Sequence, residues 1–121
     1  MNTLLLVVLS LVSFVAMPSN DEPVQADDVR VINRTMDLDG IEYAWSIMIP
    51  KSAEEGGPAI LFLHGAGECG TDGKKNLAVG LPRHVSDNPE QWPFVVIVPQ
   101  KPTRESEWED HANAVLAMLD E

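Results

Sequence analysis

The sequence predicts an α/β fold in which an antiparallel N-terminal hairpin is followed by parallel strands with crossover helices. Residues 29–36 and 41–49 alternate apolar and polar side chains around a short turn, as the strands of a half-buried hairpin do. Residues 59–63 and 94–98 are continuously apolar. Strands buried on both faces have this pattern, and they belong to parallel sheets that helices cover.

The first 26 residues are expected to be a secretory signal peptide. Residues 4–17 form an almost unbroken apolar run that is too short to span a bilayer, and Val24 and Ala26 place small side chains where signal peptidase cleaves. The segment before the run has no Lys or Arg, which is unusual. We expect a mature domain of residues 27–121 in a secreted or periplasmic protein. The alternative is that the run is a buried strand or helix of the domain.

Turn and cap residues define the remaining elements. Residues 37–40 supply turn chemistry, and Pro50 is expected to end the second strand. A short helix is predicted within residues 74–85, interrupted by Gly80 and Pro82. A second helix is predicted to begin at a capping box of Ser106 and Glu109. Its apolar face is predicted to contain Trp108, Ala112, Val115, Leu116 and Leu119.

Composition excludes several classes of function. The formal net charge is −11, and it becomes −9 when residues 1–26, with two acids and no bases, are removed. General affinity for nucleic acid or for anionic lipid needs clustered positive charge, so neither partner is expected. The single cysteine, Cys69, cannot form an internal disulfide, and we expect a partly buried thiol and not a nucleophile. No residue spacing suits a metal site, and no cofactor is expected.

The run from His64 to Gly70 is the candidate functional motif, and three interpretations compete. Residues 65–70 match the dinucleotide-binding pattern G-x-G-x-x-G, but the residues that follow continue a loop instead of opening a helix. Alternatively, the small side chains of Gly65, Ala66 and Gly67 leave their backbone N–H groups accessible to an oxyanion. In that case His64 orders the loop. The third interpretation is a tight turn that simply needs glycine.

The chain resembles the N-terminal half of the secreted esterase and peptidase group of α/β-hydrolases. That group is similar to polyhydroxybutyrate depolymerases, feruloyl esterases and the phospholipase/carboxylesterase family. The resemblance follows one order from residue 41 to residue 121, through Leu63-His64-Gly65-Ala66-Gly67-Glu68, Gly70-x-Asp72-Gly73, Asn76-Leu77, Gly80-Leu81, Trp92-Pro93-Phe94 and Val98-Pro99-Gln100.

The resemblance implies a partial α/β-hydrolase sheet, with the third strand between the fourth strand and a fifth that carries the nucleophile. It implies that His64, Gly65, Ala66 and Gly67 form the oxyanion-hole loop and that Trp108 lies near the acyl pocket. It also implies a small-molecule or polymeric ester as substrate.

The catalytic nucleophile of that group is missing from the sequence. No G-x-S-x-G occurs, and none of the serines after the leader has glycines on both sides. His84 and His111 are expected to be surface residues. We therefore expect an N-terminal fragment of a secreted serine ester hydrolase that is inactive alone. The alternatives are a non-enzymatic secreted interaction module and, less favoured, a dinucleotide-binding oxidoreductase.

Overall fold

The computed structural model describes residues 28–121, so the predicted signal peptide lies outside the described residues. The strands are β1 (Val29–Leu38), β2 (Ile41–Pro50), β3 (Ala59–Leu61) and β4 (Val95–Gln100). Helix α1 (Gly80–Asp87) lies between β3 and β4, and helix α2 (Ala112–Leu119) follows β4. Short 3₁₀ helices occur at Lys51–Ala53, Ala66–Glu68, Lys75–Leu77, Pro89–Gln91 and Trp108–His111.

The predicted hairpin is confirmed, with a shorter turn than expected. β1 and β2 pair in antiparallel register from Leu38 opposite Ile41 to Val29 opposite Pro50. Asp39 and Gly40 have positive φ values of 52° and 80°. A two-residue turn with both central residues at positive φ has the twist that the flanking strands need, and Asp-Gly is a preferred sequence for it. The turn is therefore only two residues long, and β1 extends to Leu38.

The four strands form one mixed sheet in the order β1-β2-β4-β3. β4 lies antiparallel to β2 and parallel to β3, with Ala59 opposite Val95 and Leu61 opposite Ile97. The chain passes from β3 to β4 through α1, which gives the parallel pair its crossover helix. The structure thus confirms a loosely α/β fold, in which an antiparallel hairpin precedes a parallel pair of strands.

Apolar side chains cover both faces of the sheet. On one face Tyr43 and Trp45 of β2 pack against Ala114 and Met118 of α2. On the other face, Val85 of α1 packs in a cluster with Met48, Val96 and Val98. The prediction that β2 is half-buried was wrong, because β2 lies inside the sheet between β1 and β4 and helices cover both of its sides.

Helix α1 begins where the sequence predicted an interruption. The connection forms the 3₁₀ helix Lys75–Leu77, and α1 starts at Gly80 with a positive φ of 67°. Pro82 therefore occupies the first turn, where backbone N–H groups have no partner within the helix and proline is tolerated. Both residues help to start the helix instead of breaking it.

The predicted cap and apolar face of the last helix need correction. The capping box is formed by Glu107 and Asp110, one residue later than predicted, and the Glu107 N–H donates to Asp110 Oδ2 at 2.9 Å. The buried residues of α2 are Ala114, Val115 and Met118. Leu116 and Leu119, predicted to be on the core face, are 60% and 43% exposed.

The β3 end of the sheet leaves apolar surface uncovered. Within residues 28–121, β3 pairs only with β4, so its other edge has free backbone groups. Leu61 is 39% exposed, and Leu63 and Leu116 are exposed as well. An apolar strand with a free edge is a template for pairing with another chain.

We expect the purified protein to self-associate through the edge of β3. Leu61→Lys should weaken this association, because a lysine on an edge strand disfavours pairing between chains. Val31→Lys is the matched control, since Val31 is 40% exposed on β1 at the opposite edge. Sedimentation over a range of protein concentrations measures the effect. A monomeric parent protein, or equal effects of the two substitutions, would contradict the prediction.

Candidate functional site

The candidate loop leaves the sheet at the carboxyl ends of the parallel strands. Residues 64–68 follow β3, and residues 101–107 follow β4. The Lys101 backbone N–H donates to His64 Nε2 at 2.9 Å, which joins the two segments. In open α/β sheets, ligands bind outside the carboxyl ends of the strands. The topology therefore places the predicted loop where a binding site is expected.

His64 is buried and holds the loop through several contacts. Its Nδ1 lies 2.6 Å from the carbonyl oxygen of Gly65 and 3.8 Å from the carboxylate of Glu68. A backbone N–H can only donate, so Nε2 accepts from Lys101 and the proton of the neutral ring lies on Nδ1. His64 cannot take up a proton at Nε2 without losing the bond to Lys101. It is therefore an anchor of the loop.

The small residues after His64 present free backbone donors. Gly65, Ala66 and Gly67 are exposed, and Gly65 caps the 3₁₀ helix Ala66–Glu68. Among the described residues, the N–H groups of these three residues find no acceptor. A side chain built at Gly67 would meet nothing within 4 Å. The loop therefore has exposed backbone donors, and their predicted role as an oxyanion hole stays a prediction.

An apolar pocket of about 330 Å³ lies beside this loop. It is lined by Leu63, Trp108, Glu109, Ala112, Val115 and Leu116. The Trp108 indole N–H donates to the His64 carbonyl oxygen at 2.9 Å, and the two rings meet edge to face with centroids 5.0 Å apart. The structure thus brings Trp108 together with the predicted loop, on the wall of a pocket.

Gln100 fixes the second half of the loop. This side chain is fully buried at the end of β4. Its Nε2 donates to the Glu68 carbonyl oxygen at 3.0 Å and to Asp72 Oδ1 at 2.9 Å, and its Oε1 accepts from the Gly73 N–H at 2.8 Å. Gly70 has a φ of 145°, and a Cβ there would lie 3.3 Å from Gln100 Nε2. Glycine is therefore needed at position 70.

The carboxylate of Asp72 completes this network. The backbone N–H of Lys74, the side chain of Gln100 and the backbone N–H of Lys75 all donate to it, and they lower its pKa from 3.8 to about 2. Hydrogen bonds to the charged form stabilise that form. Asp72 is thus a structural anion that orders the segment between the loop and α1.

A second cluster was missed by the sequence interpretation. His111, expected at the surface, is buried; its Nδ1 lies 2.8 Å from the Tyr43 hydroxyl and its Nε2 lies 2.7 Å from Ser106 Oγ. Lys101 is also buried, and its ammonium group donates to the Ser106 carbonyl oxygen. Burial raises the pKa of Tyr43, and the charge of Asp39 raises it further. No short motif marks this cluster, because Tyr43 belongs to β2 and the other members belong to the segment that joins β4 to α2.

Other candidate residues lie away from the site or form no cluster. His84 is exposed and packs edge to face on Trp92, while Cys69 is buried. The glycines of residues 65–70 lead into 3₁₀ turns, and the first α-helix after them begins at Gly80.

Across residues 28–121, no group of three or more His, Cys, Asp or Glu side chains is arranged for a metal ion. No helix of that same stretch is long and apolar enough to cross a membrane.

Comparison with known proteins assigns the chain to no family. The chain matches no protein-family model, no curated protein and no solved structure.

We expect His64→Ala to lower the free energy of unfolding by roughly 2–3 kcal/mol, because it leaves the buried Lys101 N–H without an acceptor. His64→Gln should lose less, since its amide oxygen can accept from that N–H. Urea denaturation measures both, and His84→Ala, at an exposed histidine, should change stability by less than about 0.5 kcal/mol. Equal losses for His64→Gln and His64→Ala would show that the hydrogen bond is unimportant.

We expect Asp72→Asn to remove a pH-dependent part of the stability. The pKa of Asp72 is about 2 in the folded protein, below its usual value of 3.8. Its contribution is therefore complete above pH 3.8 and is lost as the pH falls through about 2. Denaturation between pH 6 and pH 2 should show the two proteins converging in stability towards acid pH. Asp37→Asn on β1 serves as the control, and a difference that stays constant with pH would contradict the prediction.

Proposed function

We propose that the chain forms the oxyanion-binding and acyl-binding part of a secreted serine ester hydrolase. The observation that carries this proposal is a set of three N–H groups, those of Gly65, Ala66 and Gly67, that find no acceptor within residues 28–121. Buried His64 holds them at the carboxyl end of a parallel strand. Fixed donors aimed at a developing negative charge stabilise the tetrahedral transition state of acyl transfer. In α/β-hydrolases, one such donor comes from the loop after the third strand.

The strand order supports the same proposal. β3 lies beside β4, and its other edge is free within the described residues. In the hydrolase sheet, that edge pairs with the strand that leads to the nucleophile. The exposed side chain of Leu61 is what such a partner would cover.

The pocket indicates the substrate class. Five of its six lining residues have apolar or aromatic side chains, and Glu109 is the exception. A pocket of about 330 Å³ is at the small end of the usual range for ligand sites. The substrate is therefore an ester with a short or medium apolar acyl group. The carboxylate of Glu109 in the lining also disfavours acyl groups that carry negative charge.

We propose that the nucleophile comes from a further segment, because G-x-S-x-G is missing from the sequence. The nucleotide sequence downstream tests this part directly. Codons for an apolar strand followed by G-x-S-x-G would support the hydrolase. Unrelated sequence would favour the second candidate, an interaction module, which the free apolar edge of β3 also suits.

We expect the protein to bind octanoate, with its carboxylate on residues 65–67 and its tail in the pocket. Ala66→Pro should weaken this binding roughly 10- to 100-fold, because it deletes one N–H that donates to a charged group. Proline is tolerated at the first position of a helix, and Gly65, with φ −82° and ψ −167°, is compatible with a following proline.

Titration followed by backbone amide NMR measures the affinity and identifies the donors. Ala66→Ser keeps the N–H and should bind as the parent protein does. Octan-1-ol has a similar apolar chain without the carboxylate, and it should shift the Trp108 indole signal without shifting the amides of residues 65–67. Equal binding by Ala66→Pro and Ala66→Ser would overturn the oxyanion role of the loop.

A further inference from the structure

We propose that Ser106 and His111 form a nucleophile–base pair that accepts acyl groups from carboxylic esters. The inference goes beyond the proposed function and does not depend on the oxyanion role of residues 65–67. It concerns a serine that no hydrolase motif marks, on the segment that joins β4 to α2. It gives the chain a slow acyl-transfer activity of its own.

The geometry fits what a nucleophile and its base require. Ser106 Oγ lies 2.7 Å from His111 Nε2, and His111 Nδ1 lies 2.8 Å from the Tyr43 hydroxyl. A nucleophile within hydrogen-bond reach of a base, with a third group that orients the base, is the general signature of covalent catalysis. Ser106 is only half-buried, so a substrate can reach it, whereas His111 and Tyr43 are 6% and 4% exposed.

The base is held in place from both sides. Tyr43 belongs to β2 in the middle of the sheet, and its ring meets that of His111 edge to face, with centroids 5.5 Å apart. His111 ends the 3₁₀ helix Trp108–His111, directly before α2. The capping box of Glu107 and Asp110 fixes the start of that helix. Strand β2 and the 3₁₀ helix Trp108–His111 thus position the imidazole, independently of the loop that carries Ser106.

The reactive arrangement has the imidazole proton on Nδ1. There His111 donates to the Tyr43 oxygen, and the Ser106 hydroxyl donates to Nε2. In the other tautomer, Tyr43 donates to Nδ1, Nε2–H donates to Ser106, and Ser106 donates to the Thr103 carbonyl oxygen at 3.3 Å. That second arrangement satisfies the buried Tyr43 hydroxyl, which has no other partner within residues 28–121. The reactive tautomer is therefore the minor one, and acylation is slow.

The reaction balances without a cofactor. Ser106 Oγ attacks the ester carbonyl carbon while His111 Nε2 takes the hydroxyl proton. The bond between the carbonyl carbon and the alkoxy oxygen breaks, and the leaving alcohol takes that proton from His111. Water then attacks the acyl-serine, with His111 again accepting and returning a proton, which releases the carboxylic acid and restores Ser106. The ammonium group of Lys101 donates to the Ser106 carbonyl oxygen and so fixes the backbone of the serine that is acylated.

Incubating the full chain with p-nitrophenyl acetate, followed by peptide mass spectrometry, tests the pair. We expect acetyl groups to accumulate on Ser106 ahead of the other serines. His111→Gln should slow this acylation at least roughly 100-fold, as the loss of a general base does. Ser86→Ala, which changes a half-buried serine of α1, is the control and should leave the acylation of Ser106 unchanged.

The pH dependence separates a base from a merely structural histidine. The rate of Ser106 acylation should rise as one imidazole loses its proton, and this pH dependence should disappear in His111→Gln.

Should His111→Gln not fold, Ser106→Ala supplies the second measurement. This variant should release p-nitrophenol from p-nitrophenyl acetate no faster than free imidazole does at the same concentration. Acetylation spread evenly over exposed serines and lysines, or a rate unchanged in His111→Gln, would overturn the proposal. Because the readout is an acyl group on Ser106, this result is independent of octanoate binding to residues 65–67.

Discussion

The hydrogen bond from the Lys101 backbone N–H to the His64 imidazole is the contact on which the site depends. β3 contributes only Ala59–Leu61 to the sheet, so its backbone pairing alone gives little control over the residues that follow. Gln100, the preceding residue, binds the segment from Glu68 to Gly73. The ammonium group of Lys101 binds the Ser106 segment. Two consecutive residues at the end of β4 therefore order the loops after both parallel strands.

This organisation places polar side chains in a small core. Ser46, His64, Asn76, Gln100, Lys101 and His111 are all buried. A buried polar network that is fully satisfied rigidifies a structure, whereas each missing partner carries the whole cost of desolvation. The indole N–H groups of Trp45 and Trp92 and the amide oxygen of Asn76 lack partners in the described part of the chain. These three unpaired groups therefore lower the stability of the domain, whereas the hydrogen-bonded polar side chains order the loops after β3 and β4.

Local signals predicted the hairpin, the apolar strands and the exposed loop after β3, because these features depend on neighbouring residues. The face of α2 could not be predicted in the same way. The predicted apolar face assumes 3.6 residues per turn from Trp108 onward. Trp108–His111 is instead a 3₁₀ helix with three residues per turn, so the buried face is shifted by about one residue when α2 begins at Ala112. The Ser106–His111–Tyr43 cluster was also beyond local signals. Tyr43 and His111 are 68 residues apart, and the packing of α2 on β2 brings them together.

The two buried histidines differ in what faces their nitrogens, and this difference separates an anchor from a base. Nε2 of His64 faces a backbone N–H, which cannot accept a hydrogen bond, so a proton added there would oppose another donor. Each nitrogen of His111 faces a hydroxyl group, which can donate or accept. Tyr43 and Ser106 can therefore reorient when His111 gains or loses a proton, with no movement of heavy atoms. Of the two imidazoles at this edge of the sheet, His111 is the one whose surroundings permit proton transfer.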